Sequence, residues 1–344
     1  MLSKIFEALY FKVLVNIVVK RASTVVYIET LSKKRSISTI HSEFDTKECN
    51  KKMQDFIKDY IKESPYYYIS LLDRATVQGA IPTCEKHKRL YYYSDLNDTK
   101  YKCYNRKWTY YTSKSELYKI EKIYKEIGLD FIFSPFVLLN EFFQDKIDEG
   151  KLALYVLIEE TYISLAVFEN TQLLYAEHLD IEAASEFDDI LLSNDIQEDL
   201  ELGLEEEGID LENMDVEDDD DEIELEDFGD IEDLDSLEDI DEFDDSKDVE
   251  EELLESEDVL EESNEDRFNE DYQRFSLIQT SVAHYYKDER YESKFLENMY
   301  IADGIGVSSD LKKYLEEEMF FNVYIRHVEL DVEICELTKR ELDL

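Results

Sequence analysis

The stretch NMYIADGIGVSSDLKKYLEEEM, Asn298 to Met319, is an apolar run, then a turn with two glycines, then a helical pattern. A turn of this shape can cradle a phosphate, because a glycine has no Cβ and lets backbone N–H groups approach an anion closely. Asp303, Gly304 and Gly306 are the residues that would do this. The same glycines also serve a plainer purpose, a tight turn with close packing of helix on strand.

Other residues with chemical potential are sparse. Cys84, His87 and Cys103 offer three zinc ligands, but a structural zinc site takes four, usually in tight pairs. No two of Cys49, Cys84, Cys103 and Cys335 are spaced C-x-x-C, so all four are expected as free, scattered buried thiols in a reducing cytoplasm. No metal is assigned. Neither G-x-S-x-G nor H-E-x-x-H occurs, and His41, His87, His178, His284 and His327 are scattered. The chain is therefore expected not to be an enzyme.

The elements that would position these residues follow from periodicity. FKVLVNIVVK, STVVYIET and KRSISTIHS are three strand-like runs in a row, rich in Val, Ile and Thr. A helical spacing follows through Met53, Phe56, Ile57, Tyr60 and Ile61, and YYYISLLD is again of strand length. Residues 84–112 show no clean period and read as short strands and loops. Ser113 caps a helix expected over 114–127, stopped by Gly128; LDFIFS is a strand, and Pro135 opens a helix continuing through FVLLNEFFQDKI. Then the order restarts with LALYVLIEE, TYISLAVFEN and TQLLYAEHLD. A helix with Phe268, Tyr272, Phe275, Ile278, Val282 and Tyr286 on one face comes next, then the strand NMYIAD, a helix capped by Ser308, and a last strand, FNVYIRHVEL. The chain ends soon after that strand, at CELTKRELDL. Strands and helices thus recur in one order twice, an internal duplication.

The formal net charge is −49 over 344 residues, and it is concentrated. Between Asp180 and Asp266 there are 45 acidic residues and one base, Lys247. The remainder is nearly neutral, so a nucleic-acid partner is disfavoured, since neutralising phosphates needs a basic surface. Within the acidic segment Leu225, Phe228, Ile231, Leu234, Leu237, Ile240 and Phe243 recur at every third residue. A helix would scatter them around its axis, whereas an extended polyproline-like chain places them on one side. Residues 182–264 are expected to be a disordered insertion, dispensable for the fold, or a partner-binding ladder that orders on contact. No EF-hand register is present. The N-terminal run IFEALYFKVLVNIVV is too short and too charged to span a bilayer, and no membrane span is expected.

Two copies that each open with three strands and then alternate helix and strand describe an α/β protein of two-domain actin-like (RNase H-like) fold. KSELYKIEKIYKEIGLDFIFSPFVLLNEFF, ALYVLIEETYISLAVFENTQLLYAEHL and YIADGIGVSSDLKKYLEEEMFFNVYIRHVEL, in that order, resemble PilM-type pilus assembly proteins of the actin-like ATPase superfamily and their relative, the cytoplasmic part of the type II secretion L subunit. The resemblance implies a first domain over 1–134 with an inserted subdomain at 84–112, and a second over 135–181 and 265–344. In that fold two strand turns, each with an Asp and then a Gly, grip phosphates and magnesium. Here Asn16 stands for the first Asp with no glycine following, and Glu159 and Thr161 stand for the second Asp and Gly. The turn at Asp303, Gly304 and Gly306 is read as a relic of the third element, and no cofactor is expected; the alternative is an ATPase holding ATP and magnesium.

The resemblance further implies a scaffold of a type IV pilus, competence or type II secretion platform, cytoplasmic and peripheral at the inner membrane. Its partners would be the cytoplasmic tail of a membrane platform subunit and the assembly ATPase. The Lys- and Tyr-rich region, with Lys86, Lys88, Arg89 and Trp108, is the candidate docking surface, for that tail or for the acidic segment acting as a lid. Otherwise it is a small subdomain with its own aromatic core. A further alternative places the activity in residues 182–264, as an acidic adaptor or chaperone.

Overall fold

The structure, a computed structural model, describes residues 10–85, 89–181 and 270–344. The expectations for the insertion 182–264 and for Lys86 and Lys88 lie outside the described residues. The described residues belong to one compact unit.

Every residue of β1 (Phe11–Val19) between its two end residues is buried. A strand buried on both faces sits in the middle of a sheet that is covered on both sides. β1 pairs antiparallel with β2 (Thr24–Ser32), which pairs antiparallel with β3 (Arg35–Phe44). On its other side it runs parallel to β4 (Tyr66–Leu72), and β4 runs parallel to β8 (Phe131–Phe133). The order is β3-β2-β1-β4-β8. The second sheet repeats this. β9 (Ala153–Ile158) is flanked by the antiparallel pair β10 (Tyr162–Glu169) and β11 (Gln172–Asp180), and on the other side by parallel β12 (Asn298–Asp303) and β13 (Asn322–His327). Its order is β11-β10-β9-β12-β13. Two sheets with one order and one pattern of directions make this the duplicated α/β architecture of the actin-like fold.

Helices supply the crossovers that parallel strands require. α1 (Lys51–Ile61) joins β3 to β4, and its N-cap Asn50 accepts from the Met53 amide. A small antiparallel sheet, order β5-β7-β6, is inserted after β4 and comprises β5 (Gln78–Ile81), β6 (Thr99–Tyr104) and β7 (Trp108–Ser113), with the short helix α2 (Leu90–Tyr93). α3 (Lys114–Ile123), capped by Ser113, leads to β8. In the second copy α6, residues 270–287, precedes β12, and α7 (Ser309–Glu317) joins β12 to β13.

The helix that closes each copy crosses to the other copy's sheet. α4 (Pro135–Phe142), followed by α5 (Gln144–Ile147), lies against β9 and β10, while α8 (Leu330–Glu341) lies against β1, β2 and β4, and α4 touches α8. α4 is apolar almost all round, with Phe136 to Leu139 buried, so only an interior position suits it. Phe136, Leu138 and Leu139 join Tyr155, Leu157 and Phe168 of the second sheet and Ile334 and Leu337 of α8 in one core cluster. Each such side chain contributes about 1.5–3 kcal/mol on burial. α8 is also held by polar groups. Lys339 pairs with the buried Glu29 at 2.7 Å, Cys335 donates to Glu29 at 3.2 Å, and Arg340 pairs with Glu141 of α4. Burial alone would raise the Glu29 pKa, but bonds from Lys339, Cys335 and Ser36 outweigh it and hold the carboxyl below its usual range.

Four features differ from the sequence expectation. The chain does not trail off after β13 but forms α8, whose apolar positions are diluted by Asp331, Glu333, Glu336, Lys339 and Arg340. The helix expected over 114–127 stops at Ile123, and the remaining residues form a turn that ends at Gly128, φ +82°. The helix from Pro135 breaks at Phe143. Cys84 and Cys103, expected as free thiols, form a disulfide, with Cα atoms 5.4 Å apart, that ties the loop after β5 to β6. Such bridges are rare in reducing compartments, so the cysteines do not argue for one. Cys49 and Cys335 are free and buried. Unfolded without reductant, the protein will titrate as two thiols, and after reduction as four. Four thiols before reduction would remove the bridge.

Candidate functional site

The three turns that would grip a nucleotide come together where the two sheets meet. The turn between β9 and β10 carries Glu159, Glu160 and Thr161. Two arginines of the first copy hold it. The Arg21 amide donates to Glu160 Oε2 at 2.8 Å, and its guanidinium donates to the Glu160 carbonyl at 3.0 Å and to Glu270 Oε1 at 3.2 Å. Arg74, just after β4, donates to Thr161 Oγ1 at 3.3 Å. Arg274 pairs with Glu270 at 2.7 Å and Asp271 at 2.9 Å, which extends the network into α6.

The turn after β12 is filled by its own aspartate. Asp303 Oδ1 accepts from the amides of Ile305, Gly306 and Val307 at 3.0, 2.7 and 3.1 Å, and Oδ2 accepts from Val307 at 3.1 Å. These are the donors a phosphate would use, and a hydrogen bond to a charged group contributes roughly 1.5–3 kcal/mol. Gly306, at φ +80°, is needed for this curl. Gly304 is needed for a different reason. A Cβ there would stand 2.0 Å from Glu159 Oε1, so the Glu159 carboxyl lies directly on the glycine.

Glu159 is 5% exposed. Burial first, then Glu160, push its pKa up to about 8, against the pull of Lys20 and Arg74, so its carboxyl keeps its proton at neutral pH. The cavity beside it, lined by Lys20, His41, His327 and Asp331 among others, is about 170 Å³. That is below the roughly 300–1,000 Å³ of ordinary ligand pockets. A separate space of about 450 Å³ lies along Arg21, Glu160, Glu270, Arg274 and Gly306.

The sequence-derived candidates separate on this frame. Asp303, Gly304, Glu159 and Thr161 share the junction. Asn16 does not stand at a turn; it lies inside β1, fully buried, accepting from Ser70 Oγ at 2.6 Å and Thr338 Oγ1 at 3.4 Å, and so it anchors α8. Trp108 is no docking residue. It is 1% exposed and packs against Tyr104, Tyr110 and Phe168, because a large ring on the inner strand of the small sheet is taken into the central core. Arg89 is exposed and paired with Glu85. Arg21 and Arg74 carry no signal in the sequence, because nothing local distinguishes them from other cations. Among the described residues no group of three or more His, Cys, Asp or Glu could hold a metal ion.

A second concave surface lies on the first copy. It is a groove of about 370 Å³ between β6 and β7, which contribute Lys100, Tyr101, Lys102 and Tyr110, and β8 with the segment before it, which contribute Ile132, Leu129 and Asp130. Tyr101 is 41% exposed.

Residues 154–343 match the family described as "Domain of unknown function (DUF8341)", and residues 10–140 match "Domain of unknown function (DUF8569)". Among curated proteins, none matches the chain. Among solved structures, the fold is similar to that of a protein of actin-like ATPase fold and unknown function from Bacteroides thetaiotaomicron VPI-5482, with 13% identity, 96% of each chain covered and a TM-score of 0.44. It is also similar to a PilM-PilN type IV pilus biogenesis complex, with 9% identity, 91% of this chain and 87% of that one covered, and a TM-score of 0.48. A third is the ethanolamine utilization protein EutJ from Carboxydothermus hydrogenoformans, with 7% identity, coverage of 92% and 84%, and a TM-score of 0.35.

The buried Glu159 makes stability depend on pH. The unfolded chain releases this proton near pH 4.5, the folded chain only at about 8. Its contribution is complete below the lower value and declines as pH rises between the two, by about 1.4 kcal/mol per unit. Glu159→Gln keeps the shape without the proton, so its unfolding free energy will gain on the wild type steadily across that window. Parallel pH profiles for the two proteins would contradict this.

Proposed function

The chain belongs to the family described as "Domain of unknown function (DUF8341)", and we propose that it is a non-catalytic actin-like scaffold at a membrane-associated assembly platform. The observation that carries this reading is the occupied junction. Arg21 and Arg74 hold the turn that would grip a phosphate, Asp303 takes the amides of the next turn, and Glu159 fills the space over Gly304. A nucleotide would have to displace all three, so the proposal includes no ATP, no magnesium and no turnover.

The setting rests on the sequence resemblance to PilM-type proteins and the type II secretion L subunit. On that basis the platform is a type IV pilus, competence or type II secretion machine. Its partners are the tail of a membrane subunit and the assembly ATPase. The chain would reach the membrane through them, since no helix among the described residues is long and apolar enough to cross one. The groove between the small sheet and β8 favours the tail as a ligand. β6 and β8 are both edge strands, so an extended segment can pair with free backbone groups while Tyr101 and Tyr110 cover its side chains. Lys100 and Lys102 on β6, in exposed pairs with Glu121 and Glu341, are the lysines that line this groove.

The test is photo-crosslinking in the native cell, with a benzophenone amino acid at Tyr101 and, as control, at Lys313 on the far copy. Position 101 will trap one small protein with a single membrane span; position 313 will not. Equal capture from both positions, or only non-membrane proteins at 101, would overturn the docking assignment.

A further inference from the structure

The second sheet ends in an edge of a different character from the others. β3 exposes Ile37 among Arg, Ser and Thr residues and its pairing carries a register shift; β8 has only three residues; β11 lies against β5. β13 is six residues long without Pro or a bulge, and exposes Tyr324 (52%) and Ile325 (39%). Phe320, 79% exposed, stands just before it. Native sheets normally blunt such an edge, because its free N–H and C=O groups are a template for another strand.

On one face of this sheet three tyrosines form a ladder, one per strand. Tyr155 of β9 is opposite Tyr300 of β12, which is opposite Tyr324 of β13. The rings stack, with centroids 5.3 Å apart at 14° and then 5.1 Å apart at 19°. Tyr155 is fully buried, and the ladder stops at the half-exposed ring of Tyr324.

We propose that β13 pairs antiparallel with β13 of a second copy of this chain, centred on Tyr324. Two constraints select this occupant and this register. Directly opposed residues in a sheet share a face, so a two-fold axis through a pair of identical strands sets some residue against itself. Setting Tyr324 against Tyr324 of the second copy continues the ladder through six rings without a break. It places Val323 opposite Ile325 and Asn322 opposite Arg326, so no like charges meet. The alternative centred on Ile325 would end the ladder against Arg326. Arg326 keeps its pair with Asp145 at 3.2 Å and its place over Phe142 and Phe143.

The test uses the full chain. Sedimentation velocity over a range of concentrations will show a reversible monomer–dimer equilibrium. Tyr324→Lys sets two ammonium groups face to face and weakens the dimer by about tenfold or more. Mild oxidation of Tyr324→Cys will cross-link the dimer, whereas Ile325→Cys, displaced from the axis and on the opposite face, will not. The cysteine pair decides the matter if Tyr324→Lys fails to fold. A wild type that stays monomeric at every concentration, as it would if the edge served a strand of some other protein, overturns the proposal. So does a dimer indifferent to Tyr324→Lys, or cross-linking at 325 equal to that at 324.

Discussion

The described structure turns on the contact of Arg21 and Arg74 with the turn between β9 and β10. These contacts bridge the junction of the two sheets. The two guanidinium groups reach across to Glu160 and Thr161, and the neighbouring Glu159 can then sit uncharged on Gly304. Each part depends on the others. Without glycine at 304 the carboxyl has no room; without the arginines the turn loses its ties to the first copy; and without its proton Glu159 would be a buried anion beside Glu160.

The exchange of closing helices adds a second set of ties between the two sheets. α4 and α8 fill the space between the sheets, and α8 carries both kinds of tie: apolar burial through Ile334 and Leu337, and the buried pair of Lys339 with Glu29. The two exposed features, the groove beside β8 and the edge at β13, lie on different sheets, so a tail and a second copy need not compete.

The sheets were legible because their strands are long, apolar and β-branched. FKVLVNIVVK and LALYVLIEE admit no other burial, and the repeat of three strands before the first helix declared the duplication. α8 was not legible, because its helical spacing is hidden among charges that pair only in three dimensions, Lys339 with Glu29 and Arg340 with Glu141. At the site, the missing glycine at Thr161 and the retained one at 304 could be read directly. What fills the space they leave could not, because Arg21 and Arg74 come from distant parts of the chain and look like ordinary surface cations. Trp108 misled for the opposite reason: an aromatic among lysines suggests an interface, but the ring points inward. The Cys84–Cys103 bridge has no spacing signal at all.

Whether the protein itself holds the junction shut can be measured directly. Spin labels at Lys47→Cys on the first copy and Lys313→Cys on the second, both exposed, report the separation of the two sheets by pulsed electron resonance. One narrow distance distribution is expected, unchanged by saturating ATP with magnesium and broadened when Arg21 and Arg74 are both replaced by alanine. A distribution that is broad in the wild type and narrows or shifts on adding nucleotide would contradict it.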